Sequence, residues 1–120
     1  MSVSDGYRTF ILEQLRMTGT VTAKSMFGGV GLYRGGMFFG LIDDDVLYFK
    51  VDESTRLEFE RAGSQPFRPY GNDSYSMRYY EVPADILEDG ESLAQWVEKA
   101  VAVAQRSATA KSKKPRGRNR

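Results

Sequence analysis

The residues best suited to chemistry fall into separate groups. The cluster Met26-Phe27-Gly28-Gly29-Val30-Gly31-Leu32-Tyr33 is glycine-rich enough to suggest a phosphate cradle. A dinucleotide fingerprint built on Gly29 and Gly31 would need a third glycine where Arg34 stands, and no Gly-Lys-Ser/Thr follows. The cluster also sits between strand-like segments instead of opening a helix whose amino terminus could receive phosphate. It therefore reads as a sharp bend or bulge that lets backbone approach closely. Asp43-Asp44-Asp45 supplies oxygen ligands for a hard cation, but consecutive turn residues diverge, so a solvated turn is the expectation. The 120-residue chain contains no histidine and no cysteine. That removes disulfides, Fe–S clusters, zinc-thiolate sites and the commonest general base. No catalytic residue, cofactor or metal site is assigned.

Two further groups suit macromolecular contact. Phe67, Tyr70, Tyr75, Tyr79 and Tyr80 interleave with Arg68 and Arg78, the mixture that stacks bases and grips phosphates in single-strand platforms. The reading favoured here is that these side chains stabilise a twisted hairpin against a helix. Residues 107–120 hold six basic side chains, Lys111, Lys113, Lys114, Arg116, Arg118 and Arg120, and no acids, whereas residues 1–106 hold 11 basic and 16 acidic, a net of −5. Any polyanion contact is thus assigned to these tail lysines and arginines. Within the tail, Lys113-Lys114-Pro115-Arg116-Gly117-Arg118 resembles the core of an AT-hook. In that motif a glycine lets the backbone sit deep in an A·T minor groove beside two arginines. Asn119 stands where a proline usually completes it.

These groups must be positioned by elements that the patterning defines. Tyr7, Phe10, Ile11 and Leu15 recur at helical spacing from Ser4 to about Met17. Short β-branched and aromatic segments follow near 21–26, 30–34, 37–42 and 46–51, and Gly35-Gly36 suits a tight hairpin. In the third strand, simple alternation places Met37, Phe39 and Leu41 on one face and Phe38 and Ile42 on the other. Asp52 is placed to cap a helix over 53–62 that ends near Gly63 and packs through Leu57, Phe59 and Ala62. Segments 66–70 and 75–82 flank a turn-forming Gly71-Asn72-Asp73-Ser74, and Pro83 stops the second. Leu93, Trp96, Val97, Ala100, Val101 and Ala104 form one apolar helical stripe, with Trp96 expected to anchor that helix to the sheet.

The order α-β(3-4)-α-β(2)-α gives an α+β fold, an antiparallel sheet with helices packed on it. Residues 1–106 are expected to form the one domain and 107–120 a basic tail too poor in apolar residues to order itself. No apolar run approaches the roughly 20 residues that span a bilayer. The amino terminus shows no basic-then-apolar leader, so a cytoplasmic protein with no membrane partner is expected.

Taken in order, Lys24-Ser25-Met26-Phe27-Gly28-Gly29-Val30-Gly31-Leu32-Tyr33, Met37-Phe38-Phe39-Gly40-Leu41-Ile42, Leu47-Tyr48-Phe49-Lys50-Val51-Asp52, Pro66-Phe67, Tyr79-Tyr80-Glu81-Val82-Pro83 and Trp96 resemble the amino-terminal domain of the TfoX/Sxy family over about residues 5–105. The resemblance implies an α+β domain similar to the YjbR and secretion-chaperone-like fold. Full-length members regulate natural competence genes as coactivators working with the cyclic AMP receptor protein, and carry a second helical domain with no counterpart in this sequence. The family transfers no catalytic residues, and its motif positions are candidates for a shared interaction surface. The expectation is a non-enzymatic regulatory or protein-interaction module. Its partner would be a protein such as a transcription factor, with homodimerisation through the sheet or an aromatic edge and weak DNA attachment through the tail. The alternatives are a DNA-associated protein acting through the AT-hook-like tail and a small enzyme, which would need a deep cleft lined by convergent carboxylates.

Overall fold

The computed structural model describes residues 4–26, 28–68 and 76–116. Helix α1 (Asp5–Arg16) is followed by β1 (Thr22–Met26), β2 (Gly29–Arg34), β3 (Met37–Asp43) and β4 (Val46–Lys50). Then come α2 (Glu53–Arg61), β5 (Pro66–Phe67), β6 (Ser76–Glu81), the short α3 (Ala84–Leu87) and α4 (Gly90–Arg116). The six strands form one antiparallel sheet in the order β1-β2-β3-β4-β6-β5. This is the α+β architecture that the element order implied. Phe27 and the expected loop at Gly71-Asn72-Asp73-Ser74 lie outside the described residues.

Local chemistry accounts for the boundaries. Gly35 and Gly36 take φ of 56° and 79°, so the β2–β3 turn uses two positive-φ residues that suit the twist of a hairpin. Asp44 and Asp45 do the same at the β3–β4 turn, with φ of 53° and 58°, a conformation Asp tolerates better than most side chains. Asp45 has a second role that the sequence did not reveal. Its Oδ1 accepts the Ser4 backbone N–H at 2.8 Å, while the Ser4 hydroxyl caps α1 by accepting from Tyr7 N–H. The triple-Asp turn thus ties the start of the first helix to the sheet.

A bulge decides which side of the sheet is the interior. Leu32 pairs with Gly40 and Tyr33 with Phe38, so Phe39 is an extra residue in β3 without a β2 partner. An inserted residue reverses the alternation beyond it. Phe39 consequently shares the inner face with Ile42 and meets Phe49 edge-on at 5.7 Å. Phe38 and Leu41 point the other way, since their partners Tyr33 and Tyr48 belong to the opposite face. This corrects the grouping expected from strict alternation, which put Phe39 with Leu41 and Phe38 with Ile42.

All four helices feed one cluster on the inner face. From α4, Leu93, Val97, Ala100, Val101 and Ala104 are buried as the stripe required, together with Val103. Full burial is worth roughly 1.5–3 kcal/mol for each large aliphatic side chain. Trp96 is only partly buried, and its ring meets Phe59 of α2 at 4.5 Å. It therefore joins α4 to α2 while packing against the core cluster. On α1, Leu12 is buried while Phe10 is 42% exposed. On α2, Thr55 and Phe59 turn inward while Leu57 is 51% exposed and Ala62 is exposed. The expected stripes were each rotated by one position at those sites, because a short helix has too few turns to fix its buried face from spacing alone.

Helix α4 runs from Gly90 to Arg116, so the first ten residues of the basic segment beyond 106 lie on its last turns. Residues 117–120 lie outside the described region.

Asp52 joins α2 to α4. Its Oδ1 accepts from Ser54 N–H at 3.0 Å, the Thr55 hydroxyl accepts from Asp52 N–H at 3.1 Å, and Arg106 donates to Oδ2 through Nε at 3.0 Å and through a terminal nitrogen at 2.8 Å. Burial would raise the carboxyl's pKa, but hydrogen bonds from Ser54 and Arg106, with the charge of Arg106, outweigh it and hold the value below the ordinary one. Its stabilisation is therefore present above an ordinary Asp pKa of about 3.9 and lost as pH falls through the lower folded-state value. Asp52→Ala should cost about 1 kcal/mol at neutral pH, the usual value of an N-cap. The gap to the parent chain should close as denaturation midpoints are followed below pH 4. A pH-independent gap would contradict this assignment.

Candidate interaction face

With the helices gathered on one side, the opposite side of the sheet carries its own pattern. Paired residues in antiparallel strands share a face, so the register defines this side. One row crosses five strands: Lys24 pairs with Gly31, Gly31 with Leu41, Leu41 with Tyr48, and Tyr48 with Glu81. A second row contains Thr22, Tyr33 and Phe38, with the Lys50–Tyr79 pair beyond them. None of these side chains belongs to the inner cluster; at the β3–β4 end, Tyr7 of α1 comes close enough to Tyr48 and Glu81 to interact with them electrostatically.

The second row is aromatic and basic. Tyr33 and Phe38 have ring centroids 5.2 Å apart, and Phe38 and Tyr79 5.8 Å apart, all tilted as neighbouring rings prefer. Lys24 Nζ lies 5.7 Å from the Tyr33 ring centre and Lys50 Nζ 5.1 Å from that of Tyr79. Each ammonium sits within cation–π reach of a ring. The three rings are half-buried and in contact along the row. On the far side Tyr48 packs on Phe67 at 4.9 Å, and the neighbouring charges are Glu81 and Asp43. The face thus has a lysine-bearing part and an acidic part around an apolar centre at Leu41 and Phe38.

The motif glycines make this surface possible. A Cβ on Gly31 would lie 3.0 Å from Phe38 and 3.1 Å from the Met26 sulfur. One on Gly29 would lie 2.5 Å from the Ile42 carbonyl oxygen. Glycine here admits the folded-over Phe38 and Met26 side chains and a close β2–β3 approach, which is the structural role expected of the cluster. Of the other motif residues, Met26, Tyr33 and Tyr79 lie on this face. Gly28 occupies a positive-φ bend, and Pro83 stands immediately before α3. Leu32 and Tyr80 are interior, the latter donating its hydroxyl to Glu60 at 2.8 Å, and Trp96 faces α2. Phe27 is outside the described residues. Phe38, Lys24, Lys50, Tyr48 and Glu81 lie within the segments that carry the family resemblance but were assigned to no site from sequence. Their common face follows from pairing register and from the bulge, neither of which a single strand's pattern reveals.

The hairpin aromatics do not form one platform. Tyr79 lies on the helix-free face and Tyr80 in the interior, while Phe67 joins Tyr48. Tyr70 and Tyr75 lie outside the described residues. Asp43, Asp44 and Asp45 occupy the β3–β4 turn, and among the described residues no three acidic side chains gather as a cation site. Lys111, Lys113, Lys114 and Arg116 fall on the last turns of α4, a helical setting that differs from the extended backbone of a minor-groove hook. Arg118 and Arg120 are outside the described residues.

Burial raises the hydroxyl pKa of Tyr48, reinforced by Glu81, Asp43 and Asp44. Burial likewise raises Tyr79, partly offset by Arg78. Both remain neutral hydrogen-bond donors at physiological pH and offer no base there. What the arrangement can do is stack, donate hydrogen bonds and pair charges.

A profile of the TfoX N-terminal domain matches residues 13–104, which take in the last turn of α1, the whole sheet and the buried length of α4. The chain belongs to the TfoX N-terminal domain family. No curated protein matches it. Membership in the TfoX N-terminal domain family supports a regulatory domain at that coarse level. Among the described residues no helix is long and apolar enough to cross a membrane.

Because burial is the larger cause of the Tyr48 shift, Glu81→Gln should lower its titration midpoint without returning it to the free-tyrosine value. Ring-carbon NMR through alkaline pH reads this directly. An unchanged midpoint would remove Glu81 from the surroundings of Tyr48.

Proposed function

We propose that this chain is a non-enzymatic regulatory module that acts by binding another protein through the helix-free face of its sheet, in a process linked to transcription. The observation that carries this reading is the Tyr33–Phe38–Tyr79 ring row flanked by Lys24 and Lys50, left without an overlying helix among the described residues. Half-exposed aromatics beside charged groups supply contact area at small conformational cost and are enriched where proteins meet. The regulatory sense comes from the family, and the competence connection is its narrower form. One feature supports the absence of catalysis: a chain without histidine or cysteine, which lacks the commonest general base and the thiol nucleophile. A cytoplasmic setting fits that role.

Placing Phe38→Glu with Tyr79→Glu on the chromosome should leave thermal unfolding of the purified chain within a few degrees of the parent, because both changes are on the half-exposed face. The transcript profile should nonetheless match that of a deletion strain. A wild-type profile from the well-folded variant would contradict the proposal.

A second reading rests on the six basic residues beyond 106, opposed to a body of net charge −5. In this reading the end of α4 attaches to DNA through phosphates. Duplex affinity of the full chain should fall steeply with salt, and a chain ending at 106 should lose it. Equal affinity of the two chains would eliminate this reading.

A further inference from the structure

Resting on the reading of the helix-free face as a protein-binding surface, we propose that its occupant is a second copy of this chain, docked face to face about a two-fold axis running along β3. The argument is the order of charges along the register. Across β1-β2-β3-β4-β6 one row reads Lys24, Gly31, Leu41, Tyr48, Glu81, a cation at one end, an anion at the other and an aliphatic side chain at the centre. β3 is the middle strand of those five. A two-fold parallel to it lays β1 over β6 of the second copy, β2 over β4, and β3 over itself. Lys24 then meets Glu81 of the second copy, and by symmetry Glu81 meets its Lys24, while Leu41 meets Leu41.

The other row obeys the same operation. Phe38 meets its own counterpart, and Lys50 comes over Tyr33 of the second copy, extending the cation–π contacts already present within each chain. An isologous interface must be self-complementary in this way, with each residue and its contact exchanging roles. A single-stranded nucleic acid would use the rings and lysines but would meet Glu81, Asp43 and a body of net charge −5. A second copy uses both ends of the row, and among the described residues the one like-charge contact the same axis creates is Asp43 at the end of β3 facing its own counterpart.

Five strands spaced about 4.8 Å apart, each contributing two or three outward residues, present roughly 500 Å² per copy. The total of about 1,000 Å² is at the low end for specific complexes, so the dimer should be reversible at micromolar concentration.

Sedimentation velocity of the full chain across the micromolar range should show a monomer–dimer equilibrium. Lys24→Glu and Glu81→Lys should each weaken self-association by at least about tenfold through like-charge opposition. Mixing the two variants should restore dimers, because each supplies the charge the other lacks at both symmetric contacts. A chain carrying both changes should also dimerise. A parent chain that stays monomeric throughout overturns the proposal, as does a dimer indifferent to these charge reversals. Saturable binding of a labelled single-stranded oligonucleotide, lost with Lys24→Glu while the parent chain remains monomeric, would assign the face to nucleic acid. If the parent is monomeric but the Phe38/Tyr79 double variant still mimics deletion, the face serves a different protein, and only the second-copy assignment falls.

Discussion

The burial of the α4 stripe against β3 and β4 commits one side of the sheet to the interior, and the placement of every other group depends on that commitment. Leu93, Val97, Ala100, Val101 and Ala104 meet a surface made by Phe39, Ile42, Leu47 and Phe49, with α1 and α2 joining the same cluster. The bulge at Phe39 is what makes the surface continuous. Without the extra residue, β3 would send Phe39 outward where its register now sends Phe38 and Leu41, and the interior would lose one of its fully buried rings. The aromatic row on the far side is therefore a consequence of how the core was built as well as a feature of its own.

That division explains the uneven legibility of the sequence. Local signals were sufficient for the Gly35-Gly36 hairpin, the Asp52 cap and the long stripe on α4, because turn geometry, capping and helical period act within a few residues. They were insufficient where the outcome depends on distant partners. Phe39 changes face through its pairing with β2, Trp96 finds Phe59 across two helices, and Leu57 gives way to Thr55 on a helix of two and a half turns. The candidate face shows the same difficulty. Met26, Tyr33 and Tyr79 stood out as family positions, yet Lys24, Phe38, Lys50 and Glu81 become their neighbours only once five strands are in register.

Physically, the face differs from an active-site cleft in what it offers. Burial raises the hydroxyl pKa of Tyr48 and Tyr79, with nearby carboxylates adding to it at Tyr48; the lysines of the face sit over rings, and its glycines leave room for Phe38 and Met26 to fold over β2. These features favour stacking and charge matching over proton transfer. Lys24 lies on an edge strand, where an exposed lysine also discourages indiscriminate strand addition. The face can thus be selective while the sheet edge stays protected, a combination suited to a regulatory domain that must meet chosen partners.

The central claim is that the helix-free face is covered when the protein works. Hydroxyl-radical footprinting of the chain inside cells and as a dilute purified monomer compares the reactivity of individual rings in the two states. Tyr33, Phe38 and Tyr79 should be protected in cells relative to the isolated chain, while exposed Phe10 on the outer side of α1 reacts equally in both. Equal reactivity of all four rings in the two settings would contradict the account.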